Sequence, residues 1–167
     1  MIGVDIRLEA GAARVVADCA PLACFRNTSL DGIYACMVLE HLERSKLKPS
    51  LLSWKRALRS GGKLRLSVPD FYACARWYLR HPERSVDEIL GILMGGEKNA
   101  YDIHHNLFDL KKLHGLLRDV GFVDIRRWEW QETPPHDTFD DFSRAYIPHM
   151  EFKTGSLMAL NVEARNP

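Results

Sequence analysis

Apolar and polar positions between residues 30 and 70 predict two strands of a buried sheet. Residues 30–36 are mostly apolar after Asp31, which is typical of a strand covered on both faces of a parallel sheet. Residues 63–68 alternate strictly between polar and apolar and are followed by Pro69, which ends a central strand because proline has no backbone donor. The segment between the two strands is long enough for a helical crossover, so the stretch predicts a parallel βαβ unit.

Helical spacing of apolar residues predicts two helices inside this crossover. The first covers residues 38–44 and the second covers residues 50–58. Pro49 stands where a helix can begin, and Gly61 with Gly62 follows where a helix can stop.

Capping signals predict the helices that follow. Asp70 precedes a helix over 71–79, Ser85 has capping-box spacing for a helix that runs to Gly95, and Asp109 precedes an amphipathic helix that Gly121 closes. Further strands are predicted at residues 2–6, 15–18, 122–130 and 156–164. The pattern predicts one α/β domain over residues 1–167, with a helical lid insertion at about 71–108 and a second insertion at about 131–155.

Composition narrows the classes of partner. The chain has 23 Lys plus Arg against 22 Asp plus Glu, a net charge of +1, so no strong field draws it to nucleic acid or an anionic membrane. No apolar run reaches membrane-spanning length and no signal segment is recognisable, so we expect a cytoplasmic protein with a small-molecule partner. Its four cysteines form no Cys-x-x-Cys pair, which favours reduced thiols over a disulfide framework or a cysteine zinc site.

Six phrases along the chain carry a family resemblance through their order and spacing. They are LDGIYA (30–35), VLEHL (38–42), ALRSGGKLRLSVPD (57–70), AYDIHH (100–105), LLRDVGF (116–122) and SLMALNVEA (156–164). Together they resemble the class I S-adenosylmethionine (SAM)-dependent methyltransferases, in particular the small type 11-like enzymes associated with polysaccharide and cell-envelope gene sets. The resemblance implies a Rossmann-like three-layer sandwich whose mostly parallel sheet ends in an antiparallel C-terminal hairpin.

The same resemblance implies SAM as the cofactor and a set of residues around it. Asp5 would bind the ribose hydroxyls, Asp18 would meet the adenine amine, and Cys36 and Met37 would line the pocket. The simpler alternative is that both carboxylates are polar residues that end strands.

The family's first strand and glycine-rich loop have no counterpart before Asp5, which counts against SAM binding because glycine permits close backbone approach to a cofactor. The chain therefore matches an N-terminally truncated form of the family. We expect either that residues 2–6 pair directly with residues 30–36 or that a homodimer covers the missing strand.

The candidates for acceptor chemistry come from the loop after Gly95 and from the segment after residue 36. A histidine is a suitable general base for a hydroxyl acceptor because its pKa is near neutrality. The catalytic candidates are His104, His105 and His41, and the acceptor-pocket candidates are Glu40, Asp70, Asn99, Tyr101 and Asp102. Asp102 or Glu40 would orient the base, and the alternative for either loop histidine is a buried ring bonded to a carbonyl.

A metal is not expected from the sequence. Some class I O-methyltransferases bind a divalent ion through Glu-x-x-Glu-His, but Met37 stands at the first position of that pattern here, and a hard cation requires several oxygen ligands. Only a meeting of Glu40 and His41 with His104 or His105 would suit an ion such as zinc.

The function that these features imply is SAM-dependent methyl transfer to a small-molecule or saccharide acceptor, at oxygen. The alternative is a catalytically silent methyltransferase-like domain that serves as a binding or assembly module. A Rossmann-type domain for another nucleotide is disfavoured because the sequence has no phosphate-binding loop.

Overall fold

The computed structural model describes residues 4–5, 15–99, 101–132 and 141–167. In chain order its strands are β1 (Val4–Asp5), β2 (Val15–Val16), β3 (Leu30–Cys36), β4 (Leu58–Pro69), β5 (Val123–Arg127), β6 (Tyr146–Ile147), β7 (Ser156–Leu157) and β8 (Ala159–Arg165). Its helices are α1 (Leu47–Ala57), α2 (Phe71–Arg80), α3 (Asp87–Met94) and α4 (Leu110–Val120).

A four-stranded sheet in the order β3-β4-β8-β5 forms the centre of the fold. Strands β3 and β4 are parallel, as a βαβ unit requires, whereas β8 runs antiparallel to both β4 and β5. The antiparallel C-terminal hairpin of β5 and β8 and the α/β architecture confirm the Rossmann-like methyltransferase fold that the sequence predicts.

The predicted pairing of residues 2–6 with β3 is wrong. Strand β1 pairs in parallel with β2, with Val4 opposite Val15 and Asp5 opposite Val16, in a sheet of two strands. In the described part of the chain, β3 is an edge strand of the larger sheet. The pairing partner of so short a strand depends on long-range contacts, which an alternation pattern does not specify.

Helices α1 and α4 cover one face of the central sheet and enclose the main core. Trp54 and Leu117 from these helices are buried against Leu66 of β4 and Val162 of β8. Burying a side chain of this size stabilises the fold by about 2 kcal/mol. The helix–sheet layer therefore holds β3 and β4 at fixed positions, and with them the segments that follow their carboxyl ends.

The segment between β3 and α1 differs from the prediction. Residues 38–44 form no α-helix but contain a 3-10 turn at Leu39–His41, and a second 3-10 turn follows at Arg44–Lys46. Met37 has a φ of 51° and its N–H donates to the Ser67 carbonyl at 2.8 Å, so the chain stays attached to β4 where a helix would have to begin.

The glycines after α1 also act differently from the prediction. Gly61 and Gly62 do not stop the helix but lie inside β4, which starts directly after Ala57. Gly61 has a φ of +75°, and a Cβ on Gly62 would lie 2.8 Å from the Arg59 carbonyl oxygen. These glycines therefore permit an irregular start to the strand, opposite the register shift between Leu30 and Gly32 of β3.

Two of the three helices with predicted caps match their predictions, whereas α3 has Val86 at its N-cap position without a side-chain cap, so the predicted capping box at Ser85 is wrong. The Asp70 carboxylate accepts hydrogen bonds from the N–H groups of Tyr72 and Ala73 at the start of α2, and Asp109 accepts from Lys112 at the start of α4. The predicted strand over 156–164 is divided into β7 and β8, and β7 pairs with β6 from the second insertion. No helix in the described ranges is both long and apolar enough to cross a membrane.

Candidate active site

The carboxyl end of β3 leads into the 3-10 turn at Leu39–His41, and the loop before α4 packs against this turn. The Glu40 carbonyl oxygen accepts hydrogen bonds from the backbone N–H groups of His105 at 2.8 Å and Asn106 at 3.2 Å. The loop is attached at its other side by the His104 N–H, which donates to the Met94 carbonyl at the end of α3. Backbone bonds thus bring together two segments that are about 65 residues apart in the sequence.

Three of the predicted residues converge at this junction. Glu40, His41 and His104, referred to below as the Glu40 cluster, each offer one ligand-type atom, and these atoms all lie within 4.8 Å of one another. The two imidazole rings meet edge to face, with centroids 4.6 Å apart and an interplanar angle of 79°. Nδ1 of His41 lies 3.2 Å from the Ile103 carbonyl oxygen, a contact that fixes the orientation of this ring.

Burial dominates the electrostatics of the Glu40 cluster. Desolvation raises the pKa of Glu40 to about 8, because its carboxylate would be charged in a place that water does not reach. Burial also lowers the pKa of His41 and of His104 below the ordinary value, and the neighbouring ring contributes to the lowering at His104. At neutral pH both imidazoles are therefore neutral and can accept a proton or donate a lone pair.

The other predicted loop residues lie around the cluster and not in it. The side chain of His105 is exposed, and so are those of Asn99 and Tyr101. Asn99 accepts a hydrogen bond from the Tyr101 N–H at 2.9 Å. Asp102 accepts from the Lys98 N–H at 3.2 Å, and this backbone bonding lowers the pKa of Asp102. Its negative charge partly offsets the lowering that burial causes in the pKa of both histidines of the cluster.

The residues assigned to the cofactor are spread over two sheets. Asp5 belongs to β1, and its side chain lies outside the described part of the structure. Asp18 is exposed and accepts a hydrogen bond from the Ala20 N–H at 2.8 Å. Cys36 is half-buried at the end of β3, where desolvation raises the pKa of its thiol to about 12. Met37 follows with the positive φ described above, a backbone conformation that non-glycine residues seldom adopt outside functional sites and tight turns.

Asp70 has a structural position at the carboxyl end of β4. It is 3% exposed, caps α2 and lies 3.4 Å from the guanidinium of Arg127. It also borders a cleft of about 360 Å³ on the α2 side, to which Arg76, Arg80 and Trp77 contribute. No residue of the Glu40 cluster lines this cleft, but Asp70 forms a bridge with Phe108 at the end of the loop that packs against Glu40.

A polar network on the sheet face opposite the main core was missed by sequence reasoning. The Tyr34 hydroxyl donates to Asp141 at 2.7 Å, the Ser67 hydroxyl donates to the Asn161 side-chain carbonyl at 2.7 Å, and the Asn161 amide donates to the Ser143 carbonyl at 3.0 Å. The available signal was a short polar residue between two buried apolar neighbours in each strand, Ser67 in β4 and Asn161 in β8. Buried polar groups of this kind require a partner.

No protein-family model and no curated protein matches the sequence, but solved structures do. A SAM-dependent methyltransferase from Archaeoglobus fulgidus superposes with a TM-score of 0.58 at 15% identity, over 98% of this chain and 75% of the other. The 1,6-didemethyltoxoflavin-N1-methyltransferase of Burkholderia thailandensis gives 0.54 at 17% identity, over 97% and 59%. A SAM-dependent methyltransferase from Thermotoga maritima gives 0.53 at 14% identity, over 93% and 65%.

The chain thus spans 59% to 75% of the length of these three proteins. At such low sequence identity the likeness is one of fold. It agrees with the strand order and with the C-terminal antiparallel hairpin described above. The chain has the fold of the class I SAM-dependent methyltransferases.

Proposed function

We propose that this chain transfers a methyl group from SAM to an oxygen atom of a small hydroxyl-bearing acceptor, such as a saccharide. The observation that carries the proposal is the Glu40 cluster, which follows the carboxyl end of β3 in a methyltransferase fold. In open α/β sheets, ligands bind outside the carboxyl ends of the parallel strands. The cluster therefore lies on the side of the sheet where a substrate is expected.

The described residues fit one end of a SAM molecule. Asp18 is exposed, and its carboxylate has an oxygen available for the adenine amine beyond the hydrogen bond from Ala20. Cys36 and Met37, which we assign to the same site, are half-buried at the carboxyl end of β3. We assign none of the described residues to the methionine end of SAM.

SAM supplies a methyl group that is already activated on a sulfonium, so the protein has to align the acceptor and remove one proton. His41 suits this second task. Donation from its Nδ1–H to the Ile103 carbonyl leaves Nε2 free to accept the proton of the acceptor hydroxyl. Glu40 and His104 lie beside the ring and limit the positions that it can take.

Calorimetric titration of the 167-residue chain with SAM and with S-adenosylhomocysteine tests the proposal. We expect binding in about the micromolar range and at least tenfold weaker binding for Asp18→Ala. The matched control is Asp119→Ala, since the Asp119 side chain is 64% exposed on α4 and belongs to no proposed site. If neither ligand gives a measurable heat of binding at millimolar concentration, the enzyme proposal is wrong.

The low sequence identity to the three methyltransferases, 14% to 17%, is also compatible with a second candidate, a catalytically silent domain that serves as a binding or assembly module. The titration separates the two candidates. A silent domain binds neither SAM nor its demethylated product, whereas the enzyme binds both.

A further inference from the structure

Glu40 is a buried acidic residue without a partner in the described part of the chain. Its side chain is completely buried, with 0% exposure, and neither carboxylate oxygen has a hydrogen bond. Among the described residues, no lysine or arginine forms an ion pair with it. Burying an ionisable group without a hydrogen bond or a counter-charge is costly, so a carboxylate kept in this state points to a cationic ligand.

The two histidines offer lone pairs to the same space. His41 Nδ1 contacts the Ile103 carbonyl oxygen at 3.2 Å, and donation of its N–H to that oxygen leaves the lone pair of Nε2 free. Metal-binding histidines are oriented in this way, with the second ring nitrogen bonded to a carbonyl or carboxylate. Nδ1 of His104 is buried and has no hydrogen-bond partner.

We propose that Glu40, His41 and His104 bind a divalent ion of the zinc type. Two imidazoles and one carboxylate form a donor set that zinc takes in catalytic sites, whereas Mg²⁺ prefers several oxygen ligands. Tetrahedral zinc at about 2.1 Å from each ligand places the ligand atoms about 3.4 Å apart. The three atoms lie within 4.8 Å of one another, so closing the site requires them to approach by at most about 1.4 Å.

Three protein ligands leave a fourth position for water or a substrate oxygen. An ion there would bind the acceptor oxygen directly and lower the pKa of its hydroxyl, so the proton would pass to solvent and His41 would serve as a ligand in place of the base. This last step rests on the proposed methyl transfer. The binding of the ion does not, since it depends only on Glu40, His41 and His104.

Titration of the metal-free 167-residue chain with Zn²⁺ and Co²⁺ tests the proposal without SAM. We expect one ion per chain by calorimetry and the intense visible absorption of four-coordinate Co²⁺, with no competition from Mg²⁺ at millimolar concentration. The Cys24→Ser variant should behave identically, which removes the exposed thiol as a ligand. A Co²⁺ spectrum that disappears in Cys24→Ser, or tighter binding of Mg²⁺ than of Zn²⁺, would overturn the proposal.

Ligand variants make the assignment specific. Removing a second-sphere partner already weakens metal binding by 10–100-fold, so Glu40→Gln and His104→Gln should each weaken Zn²⁺ binding by at least about 100-fold. The matched control is His114→Gln, because His114 is exposed on α4, and we expect its affinity within about twofold of the parent chain. Equal affinities for all three variants would show that Zn²⁺ binds elsewhere.

Thermal unfolding distinguishes a ligand from a structural residue. Glu40→Gln keeps the shape of the side chain and removes a buried carboxyl group that has no hydrogen-bond partner, so the metal-free variant should melt at or above the temperature of the parent chain. Zn²⁺ should raise the melting temperature of the parent chain and leave that of Glu40→Gln unchanged. A metal-free Glu40→Gln that melts well below the parent chain, together with an undiminished Zn²⁺ response, would assign Glu40 a purely structural role.

Discussion

Glu163 joins two arginines across three strands of the central sheet. Its carboxylate accepts hydrogen bonds from Arg65 of β4 and Arg126 of β5, each at 2.8 Å, and both residues lie directly opposite it in the strand register. Burial raises the pKa of Glu163, but the hydrogen bonds and charges of the two arginines outweigh this effect and the pKa is lowered. The carboxylate therefore stabilises the fold in its charged form.

We expect Glu163→Gln to lower the free energy of unfolding at pH 7 by about 1–2 kcal/mol, because hydrogen bonds to charged groups are lost. A lowered pKa means that this contribution is complete above the ordinary glutamate pKa of about 4.3 and disappears as the pH falls through the lower value of the folded protein. Urea unfolding at a series of pH values measures the difference between the two chains. The difference should narrow only in the acid range, and a constant difference down to low pH would contradict the argument.

Glu83→Gln is the control for this experiment. The side chain of Glu83 is 64% exposed, and its one ion pair, with Arg84, is long at 3.8 Å. Exposed ion pairs of this kind contribute little to stability. We expect a change within about 0.5 kcal/mol at every pH.

Individual site residues could be predicted only as far as their chemistry is local. The sequence singles out Glu40 and His41, and the structure brings both to His104. The sequence does not distinguish His104 from His105. Which of the two side chains is buried depends on how the loop packs against α3, where the His104 N–H bonds to Met94. Nor does the sequence reveal that Tyr34 contacts Asp141 at 2.7 Å, because that contact links positions 107 residues apart in the chain.

Helix α2 depends on Asp70 for its start, and this position accounts for the residue better than an acceptor-binding role does. Asp70→Ala removes the acceptor for the N–H groups of Tyr72 and Ala73 and the contact with Arg127. We expect a loss of about 1–2 kcal/mol in the free energy of unfolding, the usual cost of an N-cap. Chemical denaturation of the purified variant measures it.

Asp70→Asn tests the cause of that loss. Asparagine is as good an N-cap as aspartate, so this variant should recover most of the stability while it loses the ion pair with Arg127. Asp119→Ala should be near neutral, because Asp119 is exposed. If Asp70→Ala is as stable as Asp119→Ala, the cap is not the role of Asp70 and its acceptor-pocket assignment regains support.

Helices whose ends carry a capping residue, such as α2 and α4, were predicted well, whereas elements whose ends depend on distant contacts were not. Asp70, Asp109 and Gly121 mark the ends of α2 and α4 correctly because a cap is an interaction between neighbouring residues. The helix predicted over 38–44 failed because the backbone of Met37 is bonded to Ser67 of β4, a tertiary contact that overrides helical spacing. The predicted pairing of β1 was wrong for a related reason, since the alternation pattern of two residues is too short to specify which strand they pair with.

The two edges of the central sheet differ in how open they are to another strand. At one edge, β5 has a register shift between Val123 and Arg126, a positive φ of 51° at Asp124, and mostly exposed residues. Bulges and charges of this kind block pairing with a further strand. At the other edge, the register of β3 with β4 runs from Gly32 to Cys36 without interruption, and no strand of the described residues covers its outer side.

The edge at β3 is therefore the one through which we expect two copies of the chain to associate. Sedimentation equilibrium should show a mass that increases with concentration from monomer towards dimer. Hydrogen exchange then identifies the edge: alternate amides of β3 point away from β4, and these should gain protection as the dimer forms, whereas those bonded to β4 are protected throughout. The amides of β5 should not change. A monomeric mass over the whole concentration range, or new protection at β5 in place of β3, would refute dimerisation through β3, because regular open backbone at β3 is the only feature on which the expectation depends.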